Sequence, residues 1–426
     1  MDKFRKLGVN EKIVENLRAK GISQPTPIQL ESLPVIFEGR DVLGLAQTGT
    51  GKTVAFGVPM LQKLMSFGSS PQSKEVRALV LVPTRELAKQ IVVALRSFQG
   101  NGHLKINMVV GGLSINPQKE RLFKGSDIVV ATPGRLLDLL SQSALSLKKT
   151  EYLVLDEADH MLDMGFIKPL EEIVKLLDSE RQTLLFSATM PKLMEKLAAA
   201  FLKYPRKVQV SNSEKAVDKI DQKICYIAKS EKNNLLTEYL SANKDDLTLV
   251  FMRTKSSAER LLKSLDKKGF SVASIHGNKS QNQRDTALKL FKTGKVKVLV
   301  ATDVAARGID IPDVSFVFNF DLPNVAENYI HRIGRTARAG KTGVSITFCA
   351  PDEMNMLKSI EKLTKQVIKV ESGVRWLEEE KVKPTKERDL SGEERPKNKF
   401  RRFRSKPKSV GQNKKRNRVQ RRRSKS

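Results

Sequence analysis

Residues 41–53 read DVLGLAQTGTGKT, and this segment decides how the first half of the chain is expected to fold. The apolar start (41–46) predicts a buried strand, and the residues that follow the segment (54–64) predict a helix. Gly49 and Gly51 let the intervening loop turn tightly, so that several backbone N–H groups converge at the positive end of the helix. A strand, a glycine-rich loop and a helix in this order predict a phosphate-binding loop.

Two residues at the end of this loop carry the expected chemistry. Lys52 is placed to reach the β- and γ-phosphates of a nucleotide, and Thr53 is placed to bind Mg²⁺ through its hydroxyl. The general pattern for such loops begins with glycine, whereas this sequence has Ala46 at that position. The prediction therefore depends on the second half of the pattern and on the strand and helix around it.

A second strand, in residues 152–160 (YLVLDEADH), runs directly into three carboxylates. An ATPase with a phosphate-binding loop needs such a strand, because its terminal acid lies beside the metal. Asp156 suits that role, and Glu157 is then placed to orient and deprotonate the attacking water. The alternative is an acidic cluster that only stabilises a helix N-terminus. His160 follows the acids, and we expect it on the helix surface.

Most of the chain alternates between strand-like and helical segments, which predicts an α/β fold with mostly parallel sheets and helices on both faces. A polar stretch (211–219) separates two such series, so we expect two domains. The predicted strands are 41–46, 78–83, 106–112, 127–132, 152–157 and 183–189, then 221–228, 247–252, 271–277, 296–302, 315–321 and 344–349.

The charge of the chain is strongly positive. Its 426 residues carry a formal net charge of +30, which predicts binding to polyanions such as nucleic acids. Fifteen of the Lys and Arg residues, and no acid, lie from Lys397 onward. This segment has too few apolar residues to offset a backbone ordering cost of about 1–2 kcal/mol per residue, so we expect a disordered tail. Phe400 and Phe403 suit stacking on unpaired bases, and a solubilising charge run is the alternative.

The composition also argues against several classes of protein. No apolar run approaches the roughly 18–20 residues of a membrane span, and residues 1–10 lack the apolar stretch of a secretory signal. Cys225 and Cys349 stand far apart without a CxxC pattern, so neither a disulfide framework nor a zinc site is indicated. We therefore expect a soluble, cytoplasmic protein with no membrane partner.

Over residues 1–365 the chain resembles the DEAD-box ATP-dependent RNA helicases of superfamily 2. DEAD stands at 156–159, AQTGTGKT (46–53) is the family's own phosphate-binding loop with alanine first, and GISQPTPIQ (21–29) resembles its Q motif. The resemblance implies two tandem RecA-like domains, with ATP as substrate and Mg²⁺ as cofactor. The implied segments are a Q-motif segment (1–30), an ATP-binding domain (31–210), a linker (211–220), a second domain (221–375) and a basic RNA-binding tail (376–426).

The resemblance assigns an ATP site. In this family an aromatic residue stacks on adenine and a glutamine reads its edge, and these roles correspond to Phe4 and Gln29. Asp310 resembles the residue that meets the ribose. The implied ATP-binding residues are Phe4, Gln29, Ala46, Gln47, Thr48, Gly49, Thr50, Gly51, Lys52, Thr53 and Asp310.

The resemblance also assigns an RNA-binding surface, carried by PTRELA (83–88), the glycine pair at 111–112, TPGR (132–135), FMRTK (251–255) and HGNKSQNQR (276–284). Arginines there supply charge, while threonine hydroxyls and glycine amides bind phosphate and sugar without reading bases. The implied RNA-binding residues are Pro83, Thr84, Arg85, Gly111, Gly112, Thr132, Pro133, Gly134, Arg135, Arg253, Thr254, Gln281, Arg284 and Thr302.

Further motifs resemble the parts that couple the nucleotide state to RNA. SAT (187–189), ATDVAARGID (301–310) and YIHRIGRTARAG (329–340) imply coupling by Asp159, Ser187, Thr189, Arg307 and His331. Arg335 and Arg338 resemble the arginine fingers, which contribute about 10³–10⁵ in rate in related systems. Ala337 stands where the family usually has glycine. The implied catalytic residues are Lys52, Asp156, Glu157, Arg335 and Arg338, and the metal ligands are Thr53 and Asp156.

The implied mechanism is closure of two domains by ATP and RNA together, which bends one strand and separates a short duplex locally. Backbone contacts predict little base specificity and a steep dependence on salt. Two alternatives stay open: a DNA-acting superfamily 2 helicase, and an RNA clamp or annealing chaperone. The MLDMGF stretch (161–166) and the basic extension most resemble the bacterial RhlE-like branch, which implies work on ribosomal or messenger RNA in ribosome or RNA-decay assemblies.

Overall fold

The computed structural model describes residues 3–47, 49–210, 220–306, 314–337 and 343–376. Thr48, Arg307, Asp310 and Arg338 lie outside these residues, as do most of the predicted linker (211–220) and of the predicted tail (376–426). Their assigned roles stay predictions.

The first half of the chain forms a parallel sheet of seven strands. The strands are β1 (Val42–Leu45), β2 (Val76–Leu81), β3 (Ile106–Val109), β4 (Ser126–Ala131), β5 (Tyr152–Leu155), β6 (Gln182–Ser187) and β7 (Arg206–Gln209). Their order across the sheet is β3-β4-β2-β5-β6-β1-β7. Every residue of β2 and β4 is buried, because helices cover both faces of the sheet.

The helices of this half pack into two apolar cores, one on each face of the sheet. They are α1 (Lys3–Lys6), α2 (Glu11–Ala19), α3 (Pro27–Phe37), α4 (Lys52–Met65), α5 (Arg85–Gln99), α6 (Asn116–Phe123), α7 (Pro133–Ser141), α8 (Ala158–Asp163), α9 (Ile167–Lys175) and α10 (Lys192–Phe201). Helix α4 begins directly after the glycine-rich loop, as predicted.

The second half repeats this arrangement. Its strands are β8 (Ile220–Tyr226), β9 (Thr248–Met252), β10 (Val272–Ile275), β11 (Val298–Thr302), β12 (Phe316–Asn319), β13 (Gly343–Cys349) and β14 (Lys369–Ser372). Their order, β10-β11-β9-β12-β13-β8-β14, is the order of the first sheet with each strand number raised by seven. Two parallel sheets with one topology confirm the predicted pair of tandem RecA-like domains.

The helices of the second half also lie between successive strands. They are α11 (Lys232–Ala242), α12 (Lys255–Lys267), α13 (Gln281–Lys292), α14 (Asp303–Ala306), α15 (Ala326–Ile333) and α16 (Met354–Thr364), with a short 3₁₀ turn at Pro351–Glu353. Among the helices of the described ranges, none combines the length and the apolar character that crossing a membrane requires.

Each strand predicted from the sequence is present, whereas the edge strands β7 and β14 were not predicted. Strand β7 reads RKVQ and buries only Val208, and strand β14 reads KVES and is exposed throughout. An edge strand with charged side chains lacks the apolar run that signals a buried strand. β7 and β14 are strands because they pair with β1 and β8, and their local sequences do not indicate this pairing.

Candidate active site

The sheet topology brings three motifs of the first half to one edge. Leu45, the last residue of β1, pairs with Ser187 at the end of β6, and β6 pairs in turn with β5. The glycine-rich loop, the SAT segment and the acids after β5 therefore leave neighbouring strands at their carboxyl ends. This is the edge at which parallel α/β sheets bind ligands.

The Q motif lies against the glycine-rich loop. Gln29 donates from Nε2 to the Gly51 carbonyl at 2.9 Å, and its Oε1 accepts from the Thr26 backbone N–H at 3.0 Å. Gly51 has φ +92°, and a Cβ there would overlap Gln29 Nε2, so only glycine fits. Thr26 also donates from Oγ1 to the Thr50 carbonyl at 2.8 Å. Gln29 holds the loop in this conformation, and its contact with adenine stays a prediction.

The other residues assigned to ATP occupy varied environments. Ala46 is buried, with its N–H donating to the Ser187 carbonyl at 2.9 Å. Gln47 accepts through its carbonyl from Thr50 Oγ1 at 2.7 Å. Phe4 is only 1% exposed and packs in the core, so adenine stacking by its ring stays a prediction that requires local opening.

Lys52 and Asp156 form a buried pair. Lys52 Nζ lies 3.7 Å from Asp156 Oδ1, and the two side chains are 6% and 3% exposed. Burial raises the pKa of Asp156 to about 6, against the opposing effect of the Lys52 charge. Within the described residues Lys52 Nζ has no hydrogen-bond partner. A buried ammonium in that state is a ready donor to a phosphate oxygen.

Glu157 has an uncommon backbone conformation, with φ +53° and ψ +48°, and it stands immediately before helix α8. A left-handed non-glycine residue is typical of functional sites, since the surrounding structure must hold it there. Burial alone would raise the pKa of Glu157, but the hydrogen bond from His160, with the positive charges of Lys52 and Arg335, holds the pKa below its ordinary value. Glu157 is therefore a carboxylate at neutral pH.

Asp159 joins the DEAD segment to the SAT segment. Its Oδ2 accepts from the Ala188 N–H at 3.1 Å, the Thr189 N–H at 2.9 Å and the Thr189 hydroxyl at 3.0 Å. Ser187 donates from Oγ to the Thr189 carbonyl at 2.7 Å. The structure thus brings these three coupling residues together, and their coupling role stays a prediction.

The expected surface position of His160 is wrong. Its side chain is 2% exposed, with Nδ1 at 3.0 Å from Glu157 Oε2 and Nε2 at 3.0 Å from Nδ1 of His331 in the second half. Helix α8 turns this residue inward, toward Glu157 three residues earlier, and the second half covers it. The sequence shows only that the residue follows the DEAD string.

A cavity of about 830 Å³ lies between the two halves. Its walls include Gly49, Lys52, Thr53, Asp156 and Glu157 from the first half and Arg335 from the second, together with residues of α5 and α13. Cavities that bind small ligands have about 300–1,000 Å³. This cavity therefore brings together Gly49, Gly51, Lys52 and Thr53 of the predicted phosphate-binding loop, the acids Asp156 and Glu157, and Arg335.

The donor set of this cavity fits a magnesium nucleotide. Lys52 Nζ and Glu157 Oε1 are buried polar atoms without hydrogen-bond partners in the described part of the chain, one a donor and one an acceptor. Asp156 and Thr53 offer the carboxylate and hydroxyl oxygens that Mg²⁺ prefers.

The RNA-binding residues predicted in the first half cluster at helix N-termini. Thr84 caps α5, accepting from the Leu87 N–H at 3.3 Å, and Thr132 stands at the N-terminus of α7, before Pro133 and Gly134. Free N–H groups at such ends bind phosphate. Arg85 lies over Gly112, which has φ +69° and where a Cβ would overlap the guanidinium.

The remaining predicted residues of this surface are held by neighbours. Arg135 donates to the Leu113 carbonyl at 3.1 Å and pairs with Asp138 at 3.4 Å. Pro83 precedes the Thr84 cap, and Gly111 lies beside Arg85. Each of these residues follows the carboxyl end of a strand.

In the second half, Thr254 caps α12 and accepts from the Ser257 N–H at 3.1 Å, and Thr302 ends β11. Arg253 donates its backbone N–H to Asp321 at 2.9 Å and its guanidinium to Glu353. The guanidinium of Arg253 is thus bound to an internal acid through one of its nitrogens, and its RNA contact stays a prediction.

Gln281 and Arg284 contact the first half. Gln281 Nε2 donates to Glu86 Oε1 at 3.0 Å, and Arg284 Nη2 lies 3.0 Å from the same oxygen. Arg85 Nη1 lies 3.5 Å from Gln281 Oε1. Sequence reasoning gave Glu86 no role. In the structure Glu86 is a buried acid near Arg85 and Arg284, and such an environment is a signal of a functional role.

Arg332, in the same motif as His331 and Arg335, supports the second half internally. It is 1% exposed, donates from Nη2 to Asp303 at 2.8 Å, and lies with its guanidinium carbon 5.0 Å from the centre of the Phe251 ring. Arg335 is 3% exposed and lines the cavity. One motif therefore provides both a structural arginine and a candidate catalytic one.

Fold and site together define a nucleotide-hydrolysing enzyme with two RecA-like halves. Residues 26–197 match the DEAD/DEAH box helicase family and residues 231–340 match the helicase conserved C-terminal domain. The chain is 44% identical over 366 residues, 86% of its length and 69% of the relative's, to the ATP-dependent RNA helicase CshA of Listeria monocytogenes. The chain therefore belongs to the DEAD-box family of ATP-dependent RNA helicases.

Solved structures agree with this assignment. The chain is 31% identical to S. cerevisiae Dbp5 bound to RNA and ADP BeF3, with a TM-score of 0.78 over 87% of this chain and 96% of the other. It is 30% identical to Mss116p bound to ssRNA and AMP-PNP, with a TM-score of 0.77 over 88% and 79%. Both structures span the two halves, so the likeness extends to more than one domain.

Proposed function

We propose that this chain hydrolyses ATP in the cavity between its halves and uses the cycle to separate short RNA duplexes locally or to remodel RNA–protein complexes. The observation that carries the proposal is the shared cavity, which takes Lys52, Asp156 and Glu157 from one half and Arg335 from the other. Hydrolysis then depends on the two halves being together, and a second ligand that binds both halves controls the rate.

The residues divide the chemistry between them. Lys52 binds the terminal phosphates, and Arg335 stabilises the charge that develops on them during transfer. Glu157, ionised and with one oxygen free of protein partners, accepts a proton from the attacking water. Mg²⁺, held by Thr53 and Asp156, supplies charge neutralisation at the phosphates when bound.

RNA binding is proposed for the helix N-termini and arginines of both halves. The N-termini of α5, α7 and α12 and the side chains of Arg85 and Arg135 suit phosphate and sugar oxygens. Every nucleotide carries the same phosphate and sugar groups, so contacts of this kind support low sequence specificity. The predicted salt dependence follows from the same contacts.

The test is steady-state ATP hydrolysis by the full chain with single-stranded RNA, with single-stranded DNA and without nucleic acid, followed by unwinding of a short RNA duplex. We expect RNA alone to stimulate hydrolysis and ATP to be required for unwinding. Equal stimulation by DNA would instead favour a DNA-acting helicase. RNA binding without stimulated hydrolysis would favour an RNA clamp.

Strand annealing is a second candidate activity, favoured by the fifteen Lys and Arg residues from Lys397 onward. Such a segment neutralises phosphates on two strands at once and lowers their repulsion. A chain that ends at Gly392 should lose ATP-independent annealing and RNA affinity while it keeps the maximal rate of hydrolysis. The same segment supports association with RNA-rich assemblies such as ribosomes or RNA-decay complexes.

A further inference from the structure

His160 lies between the predicted general base and the second half of the chain. Its Nδ1 is 3.0 Å from Glu157 Oε2, and its Nε2 is 3.0 Å from His331 Nδ1. The two imidazoles meet edge to face, with an interplanar angle of 82° and ring centres 4.6 Å apart. Glu157, His160 and His331 therefore form one continuous chain of hydrogen bonds across the cleft.

The ionised state of Glu157 determines the direction of its hydrogen bond with His160. An ionised carboxylate only accepts hydrogen bonds, so His160 must donate from Nδ1 to Glu157. In the neutral ring the other nitrogen, Nε2, is then an acceptor, and it takes its hydrogen bond from His331 Nδ1. The contact with His331 thus favours the one tautomer of His160 that can serve Glu157.

In this arrangement Oε1 of Glu157 is the oxygen that can accept a proton in the reaction. Oε2 is held by His160, whereas Oε1 is buried without a hydrogen-bond partner among the described residues, and Glu157 lines the cavity. Asp159, the other acid near the imidazoles, has its Oδ2 committed to residues 188 and 189. His160 is therefore the group that sets the orientation of the reactive carboxylate.

We propose that His160 is a positioning residue for Glu157, and that His331 acts through it, so that arrival of the second half orients the general base as well as delivering Arg335. The inference rests on the proposed hydrolysis of ATP at Glu157. Hydrolysis would then depend on the second half in two ways, through Arg335 and through His331. If the second half is incorrectly placed, His160 lacks its fixed tautomer and Glu157 lacks its fixed orientation.

Two amide substitutions at this position separate the two hydrogen bonds. The Asn amide nitrogen stands close to the position of His Nδ1, so His160→Asn keeps the bond to Glu157 and loses the reach to His331. The Gln amide stands close to the position of Nε2, so His160→Gln keeps the contact with His331 and loses the bond to Glu157. Both variants have similar volume and polarity, and each is the other's control.

We expect His160→Gln to lower kcat about tenfold or more with the KM for ATP nearly unchanged, because an orienting bond to a charged group is lost. We expect His160→Asn to keep kcat within about threefold and to raise the RNA concentration needed for half-maximal stimulation. His331→Ala should lower kcat as His160→Gln does, because His160 then lacks the partner that favours the tautomer serving Glu157. His331→Asn, which keeps a donor at the Nδ1 position, should restore the parental kcat.

Glu157→Gln serves as the reference for the general base. If Glu157→Gln abolishes hydrolysis while His160→Gln keeps the parental kcat, the positioning role is wrong and the proposed function stands. If Glu157→Gln hydrolyses ATP normally, both are wrong. Equal kinetics for His160→Asn and His160→Gln, at equal thermal stability, would overturn the division of the two bonds.

Discussion

Oε1 of Glu86 in helix α5 forms an ion pair with Nη2 of Arg284 in helix α13 at 3.0 Å, and this buried contact joins the two halves of the chain. Glu86 is 5% exposed, and its Oε1 also accepts from Gln281 at 3.0 Å. Both partners are residues predicted to bind RNA. One acid therefore neutralises and positions part of the predicted RNA-binding surface while it contacts both halves.

Removing this charge should weaken the assembled state. In Glu86→Gln, Arg284 faces Arg85 without the intervening carboxylate, so we expect the RNA concentration for half-maximal ATPase stimulation to rise about tenfold. Lys89→Ala is the matched control, because Lys89 and Asp285 form an exposed ion pair at 3.0 Å between the same two helices. Equal effects of the two variants would show that the buried contact has no special role.

Gly112→Ala should act mainly on Arg85. The new Cβ would overlap the guanidinium, which can move, and the left-handed backbone would cost about 1–2 kcal/mol of stability. We expect a several-fold loss of RNA affinity, measured by fluorescence anisotropy, with ATP binding unchanged. Gly68→Ala is the control, since open space surrounds that position and its φ is not positive. The prediction would be contradicted if Gly112→Ala left the RNA affinity unchanged while Arg85→Ala lowered it.

The stability of the second half should depend on Glu353. This residue is fully buried, accepts from Lys232 Nζ at 2.6 Å and from the Ala350 N–H at 3.0 Å, and also pairs with Arg253. Glu353→Ala removes the nearer acid from the buried Lys232 and leaves Asp321 at 3.9 Å, which we expect to cost about 3–5 kcal/mol in the free energy of unfolding.

The neighbouring residue provides the control for that measurement. Asp352 pairs with Lys229 at 2.6 Å, but both side chains are more than half exposed. Asp352→Ala should change the free energy of unfolding by less than about 1 kcal/mol in urea titrations. Similar losses in the two variants would mean that burial does not determine the strength of this network.

Cys349 should be unreactive in the folded chain. Its side chain is fully buried, and burial raises the pKa of the thiol to about 12. The unfolded thiol ionises near pH 8.5, so the folded state gains stability from the neutral thiol below that pH and loses it as the pH rises toward 12. We expect a thiol reagent at pH 8 to modify Cys349 only after denaturation, and rapid modification of native protein would contradict this.

The sequence predicted the fold, which is confirmed, and the residues that line the candidate cavity, because those features are local. Apolar strands followed by glycines or acids place Gly49, Lys52, Asp156 and Glu157 at strand ends, and parallel topology brings such ends together. The motif in which Arg335 stands likewise follows directly from its sequence. These features need no knowledge of how distant segments meet.

The features that the sequence missed all depend on distant segments. Gln29 binds the Gly51 carbonyl, Glu86 binds Arg284, and His160 binds His331, and each pair joins separate elements. A local pattern assigns a polar residue after an acidic string to the surface, since polar side chains are usually exposed. Only the packing of one half on the other makes His160 internal.

Because its reactive groups come from two separate sheets, the active centre exists only in the fraction of molecules that are assembled. The turnover rate is then the product of an intrinsic rate and a population, and any ligand that favours assembly multiplies the rate without touching the phosphates. The rate of ATP hydrolysis therefore depends on whether both ligands are bound to the same molecule. We expect the enzyme to consume ATP when ATP and RNA are bound at the same time, and to conserve ATP when only one of them is bound.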